Sequence, residues 1–259
     1  MKLFDTHAHL DFTEFDIDRA ELLLQMQQHG ISGCLLPAVS PRHWLKQLAV
    51  AKQYQQYFAL GIHPWFCPDD LSQALAALTE ICQLERDNRY FIAIGEAGLD
   101  KLSQTNYQLQ LQYLTAQIVL AKQLQLPIIL HCVRAHADMI AILTEANLPQ
   151  AGVIHGFSGS IEVARQYIKL GFKLGIGGLV CEANAKKLRH CVQELPLTSF
   201  VMETDSPAMT PKQLGYDRNT PMTLVTVIDE IAQLRQETVL AVSRQLMKNC
   251  RMLFSIDLI

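Results

Sequence analysis

The chain has 259 residues, 49% of them hydrophobic and 18% charged, with a formal net charge of −3. That balance supports a large buried core and excludes intrinsic disorder. With no long Lys/Arg block, it also excludes a basic tail gripping duplex nucleic acid, though not a nuclease whose metal ions meet the phosphates.

In chain order, short apolar runs alternate with helical patterns. Leu3-Phe4 opens strand one and leads into Asp5-Thr6-His7-Ala8-His9-Leu10-Asp11. His7 and His9 are two apart, a spacing that sends both imidazoles to one face of a strand. Ile17 to Gly30 is predicted helical, with Ala20, Leu23, Leu24 and Met26 as its apolar face and Gly30 as its stop. Strand two is Gly33 to Val39, and the next helix is Arg42 to Tyr54 with Leu45, Leu48 and Ala49 inward. Strand three, Phe58 to Ile62, closes on His63-Pro64 and precedes a helix from Leu71 to Leu84. Strand four is Phe91 to Gly95, with Glu96 at its end. Tyr107, Leu111, Leu114, Ile118 and Ala121 then mark the clearest amphipathic helix.

Strand five, Pro127 to Leu130, ends in His131, and a helix follows from Ala137 to Ala146. Strand six, Gly152 to Ile154, ends in His155 and precedes a helix from Ile161 to Leu170. Strand seven is Phe172 to Ile176, then Gly177-Gly178 for a tight or left-handed turn, and a helix from Asn184 to Val192. Strand eight is Phe200 to Glu203, with Asp205 just beyond, and two helices close the chain, Met222 to Leu234 and Thr238 to Met252. Eight strand–helix units predict an α/β (β/α)₈ TIM barrel, with residues 1–259 as one hydrolase domain. A doubly wound sheet would call for a Gly-x-Gly-x-x-Gly turn, and Gly175-Ile176-Gly177-Gly178 lacks that spacing.

His7, His9, Glu96, His131, His155 and Asp205 all fall at predicted strand ends, which a barrel gathers at one mouth. Any one alone reads equally well as a structural histidine or a helix cap. Together they predict a divalent metal site, for which zinc, manganese and magnesium all remain open. Six ligand-type residues exceed what one four-coordinate catalytic ion takes, so we expect two ions per chain. His7, His9, Asp205 and a bridging Glu96 are assigned to one, and Glu96, His131 and His155 to the other. Asp205 is also the expected general base.

The chain resembles the TatD family of metal-dependent deoxyribonucleases within the amidohydrolase superfamily. The motifs are DTHAHLD at 5–11, GIHP at 61–64, AIGEAGLD at 93–100, PIILH at 127–131, GVIHGFSGS at 152–160, KLGIGG at 173–178 and METDSP at 202–207, with Asn249 to Phe254 closing the chain. The resemblance implies metal-dependent hydrolysis of DNA phosphodiesters, and its ligand positions fall on the same six residues. Relatives in the family also act as 3′–5′ exonucleases or cleave D-aminoacyl-tRNA esters. There are departures. His131-Cys132-Val133-Arg134 carries its arginine one position later than the family's His-Ser-Arg, Lys101-Leu102 replaces aromatic residues, and Ala208-Met209 replaces Tyr-Leu.

The remaining candidates divide between function and structure. His63 reads equally as a substrate contact or a loop-structural residue, and the resemblance implies contact with the phosphate or leaving group. Arg134 reads equally as a phosphate contact, where a guanidinium offers a rigid set of donors, or as a solvated arginine at a helix start, and Lys101 could add charge there. Trp65 and Phe157 either stack on bases or pack, and Asn219 shapes a turn. Cys132 is not expected as a nucleophile, because His131 is committed elsewhere. The expected substrate is DNA, single-stranded or frayed at its ends. The alternatives are a D-aminoacyl-tRNA ester and a non-catalytic metal-binding interaction protein. Seven dispersed cysteines without a Cys-x-x-Cys pair, no basic and apolar leader at the start, and no apolar run of membrane-spanning length predict a cytoplasmic protein with no membrane contact and no obligate protein partner.

Overall fold

The computed structural model describes residues 2–257. Eight parallel strands lie side by side in sequence order: β1 (Leu3–Asp5), β2 (Ile31–Pro37), β3 (Tyr57–Leu60), β4 (Phe91–Asp100), β5 (Ile128–Val133), β6 (Gly152–Ile154), β7 (Lys173–Ile176) and β8 (Phe200–Met202). The last strand returns to the first. Thr6 donates its backbone N–H to the Met202 carbonyl at 3.1 Å, and Asp205 donates to the His7 carbonyl at 2.8 Å. The result is the expected (β/α)₈ TIM barrel, nearly closed, with its seam secured just beyond β1 and β8.

The helices are α1 (Arg19–Gln28), α2 (Trp44–Tyr54), α3 (Leu71–Leu84), α4 (Tyr107–Leu124), α5 (His136–Ala146), α6 (Ile161–Lys169), α7 (Lys186–Glu194), α8 (Leu224–Arg235) and α9 (Val239–Phe254). Local chemistry sets several starts. The Asn106 side chain accepts from the N–H groups of Gln108 and Leu109, Asp70 accepts from Gln73, and Thr238 accepts from Ala241. Among the described residues no helix is long and apolar enough to cross a membrane.

Two helix faces differ from their apolar letters. In α1, Leu24 is exposed and Ala20 faces solvent, while Leu22, Met26 and Arg19 are buried. Arg19 turns the helix by donating to the carbonyls of Leu10 and Phe12 in the loop after β1. In α2, Leu45 is 81% exposed, and the buried face is Trp44, Gln47, Val50 and Ala51. Gln47 faces inward because its amide donates to the carbonyls of Leu36 and Ala59, at 2.8 and 2.9 Å, between two strands.

Strands four and five outrun their predicted ends. β4 continues through Glu96 to Asp100, so Glu96 lies within the strand, at a register shift against β5 between Ile94 and Ala97. Such irregularities re-aim side chains beside active sites. Gly98 lets β4 lie against His131, since a Cβ there would sit 2.0 Å from the His131 carbonyl oxygen. Neither Gly177 nor Gly178 makes a left-handed turn, and Gly178 serves a close approach instead. Gly177 has φ −112°, neither has positive φ, and a Cβ on Gly178 would meet the Met209 carbonyl at 2.7 Å.

Candidate metal centre

The strands deliver their polar residues to one point at the carboxyl ends of the barrel. Glu96, 2% exposed, sits at its middle. Its Oε2 faces His7 Nε2 at 3.2 Å and His9 Nε2 at 3.9 Å. Its Oε1 faces His155 Nε2 at 2.6 Å, His131 Nδ1 at 3.2 Å and His63 Nε2 at 3.3 Å. Asp205 Oδ1 closes the first side, 3.4 Å from His7 Nε2 and 3.6 Å from His9 Nε2. Three overlapping trios have ligand atoms all within 4.8 Å of one another: His7, Glu96 and His155; His7, His9 and Asp205; and His63, Glu96 and His131.

The six residues expected as ligands are therefore brought together, and His63 joins them against Glu96. Arg134 is apart from them, exposed on the rim. Lys101 is engaged elsewhere, 2.8 Å from Asp138 and over the Tyr107 ring. Phe157 is 2% exposed among His136 and Tyr167, so it packs, whereas Trp65 is 54% exposed at the mouth. The Cys132 thiol does have a neighbouring base, His136 Nδ1 at 3.3 Å. Burial nonetheless pushes that thiol up to about 11, leaving it a poor nucleophile. All seven cysteines are free.

The electrostatics follow from crowding. Burial opposes charge on His155, but the adjacent Glu96 carboxylate outweighs it and pushes the imidazole up to about 10. Burial and that positive charge push His7, stacked on His155 with ring centres 4.0 Å apart, down to about 4. Burial also works against Glu96 and Asp205 as anions, yet the surrounding imidazoles hold both below the usual carboxylate range. His7 Nε2 and Glu96 Oε1 face opposite charges yet make no hydrogen bond, and Nδ1 of His7, of His9 and of His155 is likewise buried without one. Buried polar atoms are seldom left so. Imidazole nitrogens and carboxylate oxygens at this spacing fit divalent ions of the zinc or manganese type.

Three further acids support the cluster. Asp100 Oδ2 accepts from Trp65 Nε1 at 2.6 Å and faces His131 Nε2 at 3.3 Å, while its Oδ1 accepts from the Leu102 N–H at 2.7 Å. It thus holds His131 with Nδ1 turned to Glu96, the arrangement by which outer carboxylates orient ligand histidines. Asp5 accepts from the N–H groups of His7 and Thr204 and from the Thr204 hydroxyl, stitching β1 to β8 behind the ligands. Glu203 accepts from the Gly156 N–H, in a space that exists only because residue 175 is glycine: a Cβ there would lie 2.1 Å from Oε2. Burial pushes Asp5 up to about 7 and Glu203 up to about 8. None of the three was singled out from the sequence, although each stands two or four positions from a ligand candidate, and Asp100 shares β4 with Glu96.

The backbone marks the same place. Eight described non-glycine residues have positive φ. Gln55, Gln125, Asn147, Gln236 and Ser255 end helices, and the other three are Arg134, Asp205 and Met209, all at the mouth. Left-handed backbone in non-glycine residues carries strain that functional sites tend to hold.

Residues 4–255 match the model of the family described as TatD related DNase. The chain belongs to the TatD family. It is 34% identical to the uncharacterized metal-dependent hydrolase YjjV of Escherichia coli over 98% of each chain. The crystal structure of YjjV superposes with a TM-score of 0.93, again covering 98% of each chain. The 3′-5′ ssDNA/RNA exonuclease TatD of Erwinia amylovora is 30% identical over 98% of this chain and all of its own. This TatD-family chain is accordingly a metal-dependent hydrolase built on a (β/α)₈ barrel.

Proposed function

We propose that the chain hydrolyses phosphodiester bonds at unpaired ends of DNA, using two divalent ions. The observation that carries this reading is the division of histidines between the two oxygens of Glu96: His7 and His9, with Asp205, on one side, and His63, His131 and His155 on the other. A carboxylate flanked in this way suits a bridge between two ions. His7, His9, Asp205 and Glu96 would hold one, and Glu96, His131 and His155 the other. Bound there, two ions would neutralise charge on a phosphate and lower the pKa of water.

The chain's own groups supply the rest. The Glu96 side chain is 2% exposed and shut from solvent, whereas that of Asp205 is 22% exposed and opens to the mouth. Held ionised by His9 and His7, Asp205 can accept the proton of an attacking water. His63, beside Glu96, faces the space where a phosphate or leaving oxygen would lie, and Arg134 stands at the rim for a second phosphate. The name of the Erwinia relative supports a single-stranded substrate.

The test strips the enzyme with chelator and restores zinc, manganese or magnesium. It then compares end-labelled single-stranded DNA, duplex DNA, RNA and D-aminoacyl-tRNA, with Asp205→Asn as control. The expected result is metal-dependent shortening of single-stranded DNA from its 3′ end, reduced at least about 10²-fold by Asp205→Asn with the fold retained. Efficient deacylation without DNA cleavage would replace this reading with the aminoacyl ester, and saturating metal without binding would remove it altogether.

A further inference from the structure

Two cavities open at the mouth, of about 510 and 580 Å³, each within the range of small-ligand sites. The first lies over the loops after β1, β2 and β3, the second over those after β5, β6 and β7, and the loop after β8 borders both. They share three lining residues, His131, His155 and Asp205, which are also three of the proposed metal ligands. The two cavities thus adjoin at the metal centre.

Their chemistries are opposite. The first is walled by Phe12, Trp65 and Phe66, the last two 54% and 44% exposed. Its rim carries Glu14 and Asp217, and its one lysine or arginine, Arg218, is spent on Asp18 and the Glu14 carbonyl. Aromatic faces with an acidic rim receive a base and repel additional phosphate. The second is lined by Arg134 and Lys187, both exposed, and by Ser158 and Ser160, with no carboxylate among its lining residues except Asp205. Cations and hydroxyls without competing acid receive phosphates.

Resting on the phosphodiesterase reading above, we infer that the two cavities form one track for an unpaired polynucleotide end. The terminal base enters the aromatic cavity, the scissile phosphate lies over the metal ligands, and the next phosphates run along Arg134 and Lys187. The track has a definite direction: one nucleoside fits beyond the metal centre, and the strand approaches from the β5–β7 side. A paired end cannot thread it, because its complementary strand would have to occupy the same walls.

A phosphorothioate-linked, fluorescein-labelled hexadeoxynucleotide binding to metal-reconstituted enzyme, followed by anisotropy across a salt series, separates the two halves. Phe66→Ala is expected to weaken binding about tenfold with the salt slope unchanged. Arg134→Gln combined with Lys187→Gln is expected to flatten the slope of log affinity against log salt by about 1.4, two single-strand phosphate contacts' worth. All three side chains are exposed, so folding is not at stake. Equal slopes in the wild type and the double variant, or no loss from Phe66→Ala, would overturn the track even in an enzyme that cleaves DNA. Binding with both signatures in an enzyme that cleaves no phosphodiester would instead keep the track and remove the proposed reaction.

Discussion

Buried polar side chains fall into two groups in this barrel, and the contrast separates ligand from scaffold. Along the walls Gln110, Gln117 and Asn249 are saturated, and Gln47 leaves only its Oε1 unpaired. Gln117 accepts from the Ile62 N–H at 2.8 Å and donates to the carbonyls of Ile62 and Tyr113. Gln110 clamps both backbone groups of Asp100, and Asn249 donates to Leu197 and Phe200 while accepting from Gln245. These amides act as splints, filling backbone positions that the ladder leaves open. At the mouth, His7 Nε2 and Glu96 Oε1 are as deeply buried and face opposite charges, yet make no hydrogen bond. Leaving such atoms bare costs about 1–3 kcal/mol each, more when charged, so their retention implies an occupant that satisfies them. Burial by itself does not tell the groups apart; the clustering of unsatisfied atoms at the mouth does.

The sharpest way to break this division is Asp100→Asn, which touches the mouth without removing a ligand. Asp100 takes three donors, from Trp65, His131 and Leu102. An amide offers one acceptor oxygen and turns donors toward at least one of these partners. His131 would then lose the contact that keeps Nδ1 facing Glu96. The expected loss is about 10–100-fold in metal affinity, read by competition with a chromogenic chelator. Wild-type affinity in a folded variant would show that Asp100 is another splint.

The opposite arm is Asn249→Ala, which leaves the Leu197 and Phe200 carbonyls unpaired at the start of β8, the end of the strand away from the mouth. Stability should fall by about 1–3 kcal/mol in thermal or urea unfolding. Metal affinity and turnover of the folded fraction should not move. A variant that lost metal at unchanged stability would dissolve the distinction between wall and mouth.

The same contrast explains what could be read from the letters. The strand alternation, and the six ligand candidates at its ends, were legible because histidines and carboxylates recur at the close of apolar runs. The helix faces were less so. Leu24 and Leu45 look like core residues until Arg19 and Gln47 are known to be captured by carbonyls of the loop after β1 and of β2 and β3. Asp5, Asp100 and Glu203 were missed for a related reason. What each does depends on Thr204, His131 or Gly156, between 31 and 199 positions away, and no local pattern carries that pairing.

Exposed charged pairs make a third group, and here the least should happen. Arg218 donates to both oxygens of Asp18, the residue before α1, and to the Glu14 carbonyl, with its guanidinium 4.9 Å from the Phe15 ring centre. Both side chains of the pair are 36% exposed, so solvent and salt screen it and its worth is at most about 1 kcal/mol. The Arg218 hydrogen bonds hold the Asp18 carboxyl below its ordinary 3.8. A carboxyl whose folded pKa is depressed stabilises the fold above its unfolded pKa and ceases to as pH falls through the folded one. Arg218→Gln should therefore cost less than about 1 kcal/mol at neutral pH. The gap from wild type should shrink as the pH drops below 3.8, and also in high salt. Parallel urea titrations at neutral and acid pH measure it. A gap of several kcal/mol, or one that widens in acid, would mean that this rim contact is as structural as the buried amides, because neither solvent nor protonation would then be weakening it.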